Sequence, residues 1–124
     1  MSQSILVAED NDQVRGIIRQ TLENAGYDVC EATNGEEAIR VLRSTPFDLV
    51  VTDILMPERD GLETIMYLRK QLPEVAIIAI SGLENRLILD NAKGLGATRI
   101  LAKPFSPSDL QSLVAELLGP PSTG

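Results

Sequence analysis

The sequence predicts an α/β fold in which five parallel strands form one doubly wound sheet between layers of helices. Five short apolar segments alternate with longer amphipathic stretches, an alternation typical of a parallel sheet with crossover helices. The apolar segments cover residues 5–8, 27–32, 48–52, 75–80 and 99–102. The expected strand order is 2-1-3-4-5, which places the first and third strands side by side at the point where the order reverses.

The strand segments differ in polarity, and the difference indicates their place in the sheet. The first, third and fourth segments are almost unbrokenly apolar, as expected of strands that helices cover on both faces. The second segment, YDVCEA, mixes charged and apolar residues. We therefore expect the second strand at an edge of the sheet.

Local signals predict where several helices begin, which face they bury and where they end. Three capping side chains precede an acid by three residues, and Pro107 occupies a first helical position. The capping pairs are Asn34 with Glu37, Asp60 with Glu63, and Ser106 with Asp109. The predicted buried faces are Val14, Ile17, Ile18 and Leu22 in the first helix, and Leu110, Leu113, Val114 and Leu117 in the last. The predicted helix stops are Gly26, Gly94 and Gly96.

Composition limits the class of protein. The 124 residues suit one domain, predicted to span residues 1–118, with a tail at 119–124 that has nothing to bury. Aromatic residues make up only 3%, so the core must be aliphatic. The net charge of -7 argues against direct binding to nucleic acid. A single cysteine, no histidine, and an N-terminus without a signal-like or membrane-spanning segment predict a cytoplasmic protein without a disulfide or an ordinary zinc site.

Polar side chains follow four of the predicted strands at the ends where ligands bind in such sheets. Glu9 and Asp10 follow the first strand, Asp53 the third, Ser81 the fourth and Lys103 the fifth. Three carboxylates brought together would raise at least one pKa unless a cation neutralised them, and oxygen ligands of this kind suit Mg2+. Lys103 and Ser81, expected on the other side of Asp53, would suit the oxygens of a phosphoryl group.

Each of these residues has an ordinary structural interpretation when taken alone. Asp53 would more often be a cap or turn residue, and Glu9 with Asp10 an exposed helix start. Lys103 before Pro104 would be a surface lysine, and Ser81 part of a turn. Their coincidence at the same ends of successive strands favours a functional site.

Four segments together resemble the receiver domains of two-component response regulators, including single-domain chemotaxis regulators. They are LVAEDN at the first strand, LVVTDILMPERDG at the third, AIIAISG at the fourth and ILAKPF at the fifth. The resemblance covers nearly the whole chain and implies a flavodoxin-like (βα)5 fold. It also implies a signalling phosphoacceptor in a phosphorelay, rather than an enzyme acting on other substrates.

The resemblance assigns a role to each site residue. Asp53 is expected to accept a phosphoryl group from a histidine kinase, a phosphotransfer protein or a small phosphodonor. Asp10, Asp53 and the backbone carbonyl of Leu55 are expected to bind Mg2+ directly, and Glu9 through a metal-bound water. Ser81 and Lys103 are expected to bind the phosphoryl oxygens, with a cis peptide bond between Lys103 and Pro104.

The resemblance further implies that phosphorylation shifts the surface formed by the fourth helix, fifth strand and fifth helix, which a downstream protein reads. Ile100 departs from the family's common pattern, because that position is often Tyr or Phe. An aliphatic side chain cannot swing an aromatic ring between exposed and buried states. Leu89, on the expected outer side of the fourth helix, is either a partner contact or, more often for such a residue, an ordinary exposed leucine.

Other functions fit the residues less well. A flavodoxin-type cofactor site is disfavoured because EDNDQ after the first strand would repel a phosphate. A haloacid-dehalogenase-type phosphatase would carry a second aspartate at the position of Leu55. The stronger alternative is a receiver-like interaction module that works without phosphorylation, although none of the acidic residues or the lysine is lost.

Overall fold

The computed structural model describes residues 3–54, 61–82 and 86–119, in which five strands alternate with five helices. The strands are β1 (Ser4–Ala8), β2 (Asp28–Ala32), β3 (Leu49–Asp53), β4 (Ala76–Gly82) and β5 (Arg99–Lys103). The helices are α1 (Asp12–Asn24), α2 (Gly35–Ser44), α3 (Gly61–Gln71), α4 (Arg86–Leu95) and α5 (Pro107–Leu118). Each predicted strand segment therefore becomes a strand, with bounds that differ by one or two residues.

The strands form one parallel sheet in the order β2-β1-β3-β4-β5. This order confirms the predicted topology and places the charged strand β2 at an edge. The apolar strands β1, β3 and β4 occupy the middle, where every residue of β3 is buried. Their uniform hydrophobicity follows from helices on both faces, since neither side of these strands meets water.

Two aliphatic clusters cover the two faces of the sheet. Successive residues of β3 belong to different clusters, with Val50 on one face and Val51 on the other. Helices α2, α3 and α4 supply residues to the first cluster, and α1 and α5 supply residues to the second. The sheet is therefore doubly wound, as predicted.

Side-chain caps begin two helices where the sequence predicts them. Asn34 Oδ1 accepts a hydrogen bond of 2.8 Å from the backbone N–H of Glu37. Ser106 and Asp109 form a reciprocal capping box, with Pro107 as the first residue of α5. The predicted cap Asp60 lies outside the described residues, as do Leu55 and residues 120–124 of the predicted tail.

The buried faces of two helices differ from prediction. Ile17 is 58% exposed, and Thr21 is buried beside Ile18 and Leu22 in its place. In α4, Leu89 packs in the first core cluster with 1% of its surface exposed, so its predicted outward position is wrong. Leu87 is 80% exposed instead, because two residues along an α-helix turn a side chain by about 200°.

Glycines end helices at two of the three predicted places. Gly26 and Gly96 have φ values of 101° and 132°, in the region that favours glycine, and they lie just beyond α1 and α4. Gly94 lies inside α4, so its prediction as a helix stop is wrong. A β-carbon on Gly96 would meet the Cβ of Arg69 at 2.9 Å, which gives this position a second reason to be glycine.

None of the helices in the described part of the chain is both long enough and apolar enough to span a membrane.

Candidate functional site

The parallel sheet brings the predicted site residues together at the carboxyl ends of its strands, which are called the site edge of the sheet below. Asp53 is the last residue of β3 and pairs in register with Ile80 of β4, one residue before Ser81. Lys103 ends β5 and pairs with Gly82, one residue after Ser81. Glu9 follows β1, whose residue Ala8 pairs with Thr52. Four segments that are far apart in the sequence therefore end side by side.

Three carboxylates meet at this edge. Oxygen atoms of Glu9, Asp10 and Asp53 all lie within 4.8 Å of one another. Glu9 and Asp53 are 1% and 5% exposed, whereas Asp10 is exposed. Such a set of oxygen donors, open to solvent on one side, fits a hard divalent cation that keeps some of its water ligands.

Lys103 reaches both buried carboxylates. Its Nζ donates hydrogen bonds of 2.9 Å to Glu9 Oε1 and 2.8 Å to Asp53 Oδ2. Lys103 was expected on the far side of Asp53 from the acidic pair, but its ammonium lies between Glu9 and Asp53. The Lys103–Pro104 peptide bond is cis, as the resemblance implied.

Burial and the neighbouring charges change the ionisation of the site. Burial raises the pKa of Glu9 from 4.5 to about 7, and the nearby Asp53 contributes to the increase. Hydrogen bonds from the backbone N–H of Asn11 and from Lys103 act in the opposite direction. Burial also acts to lower the pKa of Lys103, but its hydrogen bonds to Asp53 and Glu9 outweigh that effect and raise the pKa. Glu9 therefore holds its proton more tightly than an ordinary glutamate, and a bound cation would favour its ionised form.

The β1–α1 loop, residues 9–11, is held by several hydrogen bonds. The backbone N–H of Glu9 donates to the carbonyl of Ala32 in β2 at 3.0 Å. The backbone N–H of Asn11 donates to Glu9 Oε2 at 3.0 Å, and Asn11 Oδ1 caps α1 by accepting from Val14. Arg15 Nη1 donates to the backbone carbonyl of Glu9 at 2.8 Å.

Asn11 and Arg15 are two residues of the site region that were not predicted from the sequence. The signal for Asn11 was a capping residue before an amphipathic stretch, which the two preceding acids obscured. No local signal distinguishes Arg15, because an arginine on a helix is usually solvent-exposed.

The surface predicted to be read by a downstream protein, formed by α4, β5 and α5, contains the partly buried Ile100. Its side chain packs against the first core cluster, to which α4 contributes Leu89 and Ala92. All five residues of β5 are partly exposed. Ile100 therefore packs β5 against the aliphatic cluster to which α4 contributes.

Comparison with known proteins is consistent with this arrangement. The family model described as "Response regulator receiver domain" matches residues 5–115. In Brucella abortus (strain 2308), the response regulator receiver protein CpdR is 34% identical over 114 residues, covering 92% of this chain and 95% of CpdR. A segment of the sensor kinase CckA from the same organism is 35% identical over 119 residues, covering 94% of this chain and 13% of CckA.

Several relatives are longer proteins. The alkaline phosphatase synthesis transcriptional regulatory protein PhoP of Bacillus subtilis (strain 168) is 32% identical over 118 residues, covering 95% of this chain and 49% of PhoP. The chain thus spans about half the length of such curated relatives. Among solved structures, the chemotaxis response regulator CheY4 of Vibrio cholerae superimposes with a TM-score of 0.88 at 28% identity. That match covers 95% of this chain and 100% of CheY4.

The family match covers most of the chain, and CpdR aligns over nearly its whole length. The order of the strands and the acidic strand ends agree with both findings. This chain belongs to the receiver domains of two-component response regulators, which are signalling proteins.

Proposed function

We propose that this receiver domain accepts a phosphoryl group on Asp53 in a reaction that requires Mg2+. The observation that supports this proposal best is the environment of the Asp53 carboxylate. It is buried at a strand end, bonded to the Lys103 ammonium at 2.8 Å, and grouped with two further carboxylates within 4.8 Å. A carboxylate needed only for stability would not require two acidic neighbours, since each adds repulsion.

The chemistry of the three carboxylates fits Mg2+. Asp10, Asp53 and the backbone carbonyl of Leu55 would hold the ion directly and Glu9 through water, although Leu55 lies outside the described residues. When bound, Mg2+ neutralises negative charge on the phosphoryl oxygens. Glu9, with its raised pKa, would give up its proton as the ion binds.

The reaction is a transfer between two nucleophiles. An oxygen of Asp53 forms a bond to phosphorus while the bond from phosphorus to the donor's imidazole nitrogen breaks and its electron pair returns to the imidazole. Lys103 already touches Asp53 and would bind oxygens of the transferred group, as would Ser81, which is buried at the end of β4. The protein would catalyse only its own phosphorylation and the later hydrolysis of the acyl phosphate.

The donor in this proposal is a histidine kinase or a histidine phosphotransfer protein, and the reaction takes place in the cytoplasm. The readout surface is formed by α4, β5 and α5. Leu87, an apolar residue of α4 that is 80% exposed, is the residue that a partner would contact in place of Leu89. Direct contact with nucleic acid is not part of the proposal, because the net charge of -7 opposes it.

Intact-mass measurement after incubation with acetyl phosphate and Mg2+ tests the proposal. We expect wild-type protein to gain the mass of one phosphoryl group and Asp53→Asn to gain none. Asp48→Asn is the matched control, because Asp48 directly precedes β3 and so lies at the opposite end of the strand from Asp53. It should be phosphorylated like wild type.

Two results would contradict the proposal. Equal phosphorylation of Asp53→Asn and wild type would place the phosphoryl group elsewhere. No mass change in wild type when Mg2+ is present would instead favour the interaction module that works without phosphorylation.

A further inference from the structure

Within the described part of the chain, Arg15 is the one cationic side chain of α1 that contacts the backbone of the β1–α1 loop, called the acidic loop below. It is only 12% exposed, although it lies near the start of a surface helix. Its Nη1 donates a 2.8 Å hydrogen bond to the backbone carbonyl of Glu9. This carbonyl belongs to the peptide group that joins Glu9 to Asp10.

We propose that Arg15 is a positioning residue for Mg2+ binding, which it supports by fixing the Glu9–Asp10 peptide group. A peptide group is planar, so a hydrogen bond to its carbonyl restrains the Cα atoms of both Glu9 and Asp10. The same bond thereby sets the directions in which the two carboxylates leave the backbone. The inference rests on the proposed function, because it takes these carboxylates to bind Mg2+.

The hydrogen bond from Arg15 restrains a part of the acidic loop that the loop's other hydrogen bonds within the described residues do not reach. The N–H of Glu9 is held by Ala32, and the N–H of Asn11 by the Glu9 carboxylate. Between these two points lies the Glu9–Asp10 peptide, whose carbonyl Arg15 binds. Without Arg15 that peptide could rotate, and Asp10, which is exposed, has little packing to hold its side chain in place.

The contacts of the other two guanidinium nitrogens of Arg15 explain why this residue is an arginine. Nη2 binds the carboxylate of Asp12, and Nε lies 4.0 Å from Glu31 Oε1 on β2. Nε is buried and has no hydrogen-bond partner among the described residues. The planar fork therefore spans α1, the loop and β2 at once, which a single lysine ammonium cannot do.

Arg19 provides a matched control on the same helix. Its guanidinium lies 3.3 Å from Glu31, the same β2 residue, and 3.2 Å from Glu23. Its side chain is much more exposed than that of Arg15. Arg19→Gln thus removes the same charge and a pairing with Glu31, but leaves the carbonyl of Glu9 bound.

The sign of the change in Mg2+ affinity separates positioning from charge. Removing a positive charge near an acidic site strengthens cation binding by simple electrostatics. Loss of a residue that orients metal ligands weakens it, typically by about 10-fold or more. We therefore expect Arg15→Gln to raise the Kd for Mg2+ about 10-fold, and Arg19→Gln to leave it unchanged or lower it slightly.

Isothermal titration of MgCl2 into each variant of the 124-residue chain measures this Kd directly, and circular dichroism checks that each is folded. Acetyl phosphate labelling over a range of Mg2+ concentrations adds a second readout. With Arg15→Gln we expect half-maximal labelling at higher Mg2+, while the rate at saturating Mg2+ returns to near the wild-type value. Arg15→Lys keeps the charge without the fork and should also bind Mg2+ more weakly than wild type.

The outcomes distinguish the inference from the proposed function. If wild type binds Mg2+ and Arg15→Gln binds it as well or better, Arg15 is not a positioning residue, even if the variant is less stable. If Arg15→Gln does not fold, Arg15→Lys decides, and a wild-type Kd for that variant would overturn the inference. If wild type itself does not bind Mg2+, the proposed function fails.

Discussion

Replacing Glu9 with glutamine should change how the stability of the metal-free protein depends on pH. Glu9 is 1% exposed, and its pKa in the folded protein is about 7, against an ordinary 4.5. The folded state therefore holds the proton more tightly than the unfolded state. Glutamine has nearly the same shape but cannot lose a proton in this range.

The raised pKa of Glu9 decides whether stability rises or falls with pH. The contribution of Glu9 to stability is fully present below about pH 4.5 and is lost as the pH rises through about 7, because the buried carboxylate must then carry its charge. Each pKa unit is worth about 1.4 kcal/mol, so this loss amounts to about 3 kcal/mol. The pKa of about 7, and therefore this loss, already includes the opposing effect of the Lys103 ammonium, which lies 2.9 Å from Glu9.

Urea unfolding in EDTA at several pH values between about 5 and 8 measures the effect. Far-UV circular dichroism is the suitable probe, because the chain has no tryptophan. The quantity of interest is the difference in the free energy of unfolding between wild type and Glu9→Gln at each pH. Contributions from acids distant from Glu9 are common to both proteins and largely cancel in this difference.

We expect wild type to lose stability relative to Glu9→Gln as the pH rises, and Mg2+ to reduce that loss by neutralising the charged site. Glu74→Gln is the control, because Glu74 is exposed just before β4, and it should follow the wild-type pH profile. A constant difference between wild type and Glu9→Gln across this pH range would refute the reasoning.

Two further predictions concern the elements that hold the sheet and helices together. Arg69 of α3 donates to the carbonyls of Gly96, Pro73 and Val75, so we expect Arg69→Ala to lower the free energy of unfolding by about 2–4 kcal/mol. Lys70, the exposed neighbour of Arg69, is the control, and Lys70→Ala should lower the free energy of unfolding by less than about 0.5 kcal/mol. Equal losses for the two variants in urea unfolding would argue against a stabilising role for the hydrogen bonds of Arg69. Ser106→Ala should cost about 1 kcal/mol through loss of the α5 cap, whereas Ser108→Ala, inside the helix, should cost little; thermal unfolding of both variants tests the difference.

The alternation of apolar segments with amphipathic ones was enough to predict five strands and the edge position of β2. These features depend on whether a segment meets water on one face or both, and a segment's own residues record this. The caps at Asn34 and Ser106 were predictable for a similar reason, because a cap and its partner lie within one helical turn.

Helix faces were less predictable than helix positions. Ile17 and Thr21 are four residues apart and share a similar direction, so the pattern alone did not decide which of them is buried. In α4, Leu87 and Leu89 are equally hydrophobic and point in nearly opposite directions, so hydrophobicity alone did not decide which of them is buried. Which one packs depends on how the helix is rotated against the sheet, and distant residues set that rotation.

The sequence by itself determined the alternation of strands and helices in this protein, the edge position of β2 and the set of polar residues at the carboxyl ends of the strands. Only the tertiary structure decided that Lys103 lies between Glu9 and Asp53, that Glu9 holds its proton to about pH 7, and that Arg15 binds the acidic loop. The physical reason is one of range. Hydrophobic patterning and capping act between neighbours in the chain, whereas desolvation and charge pairing depend on which groups the fold brings within a few ångströms.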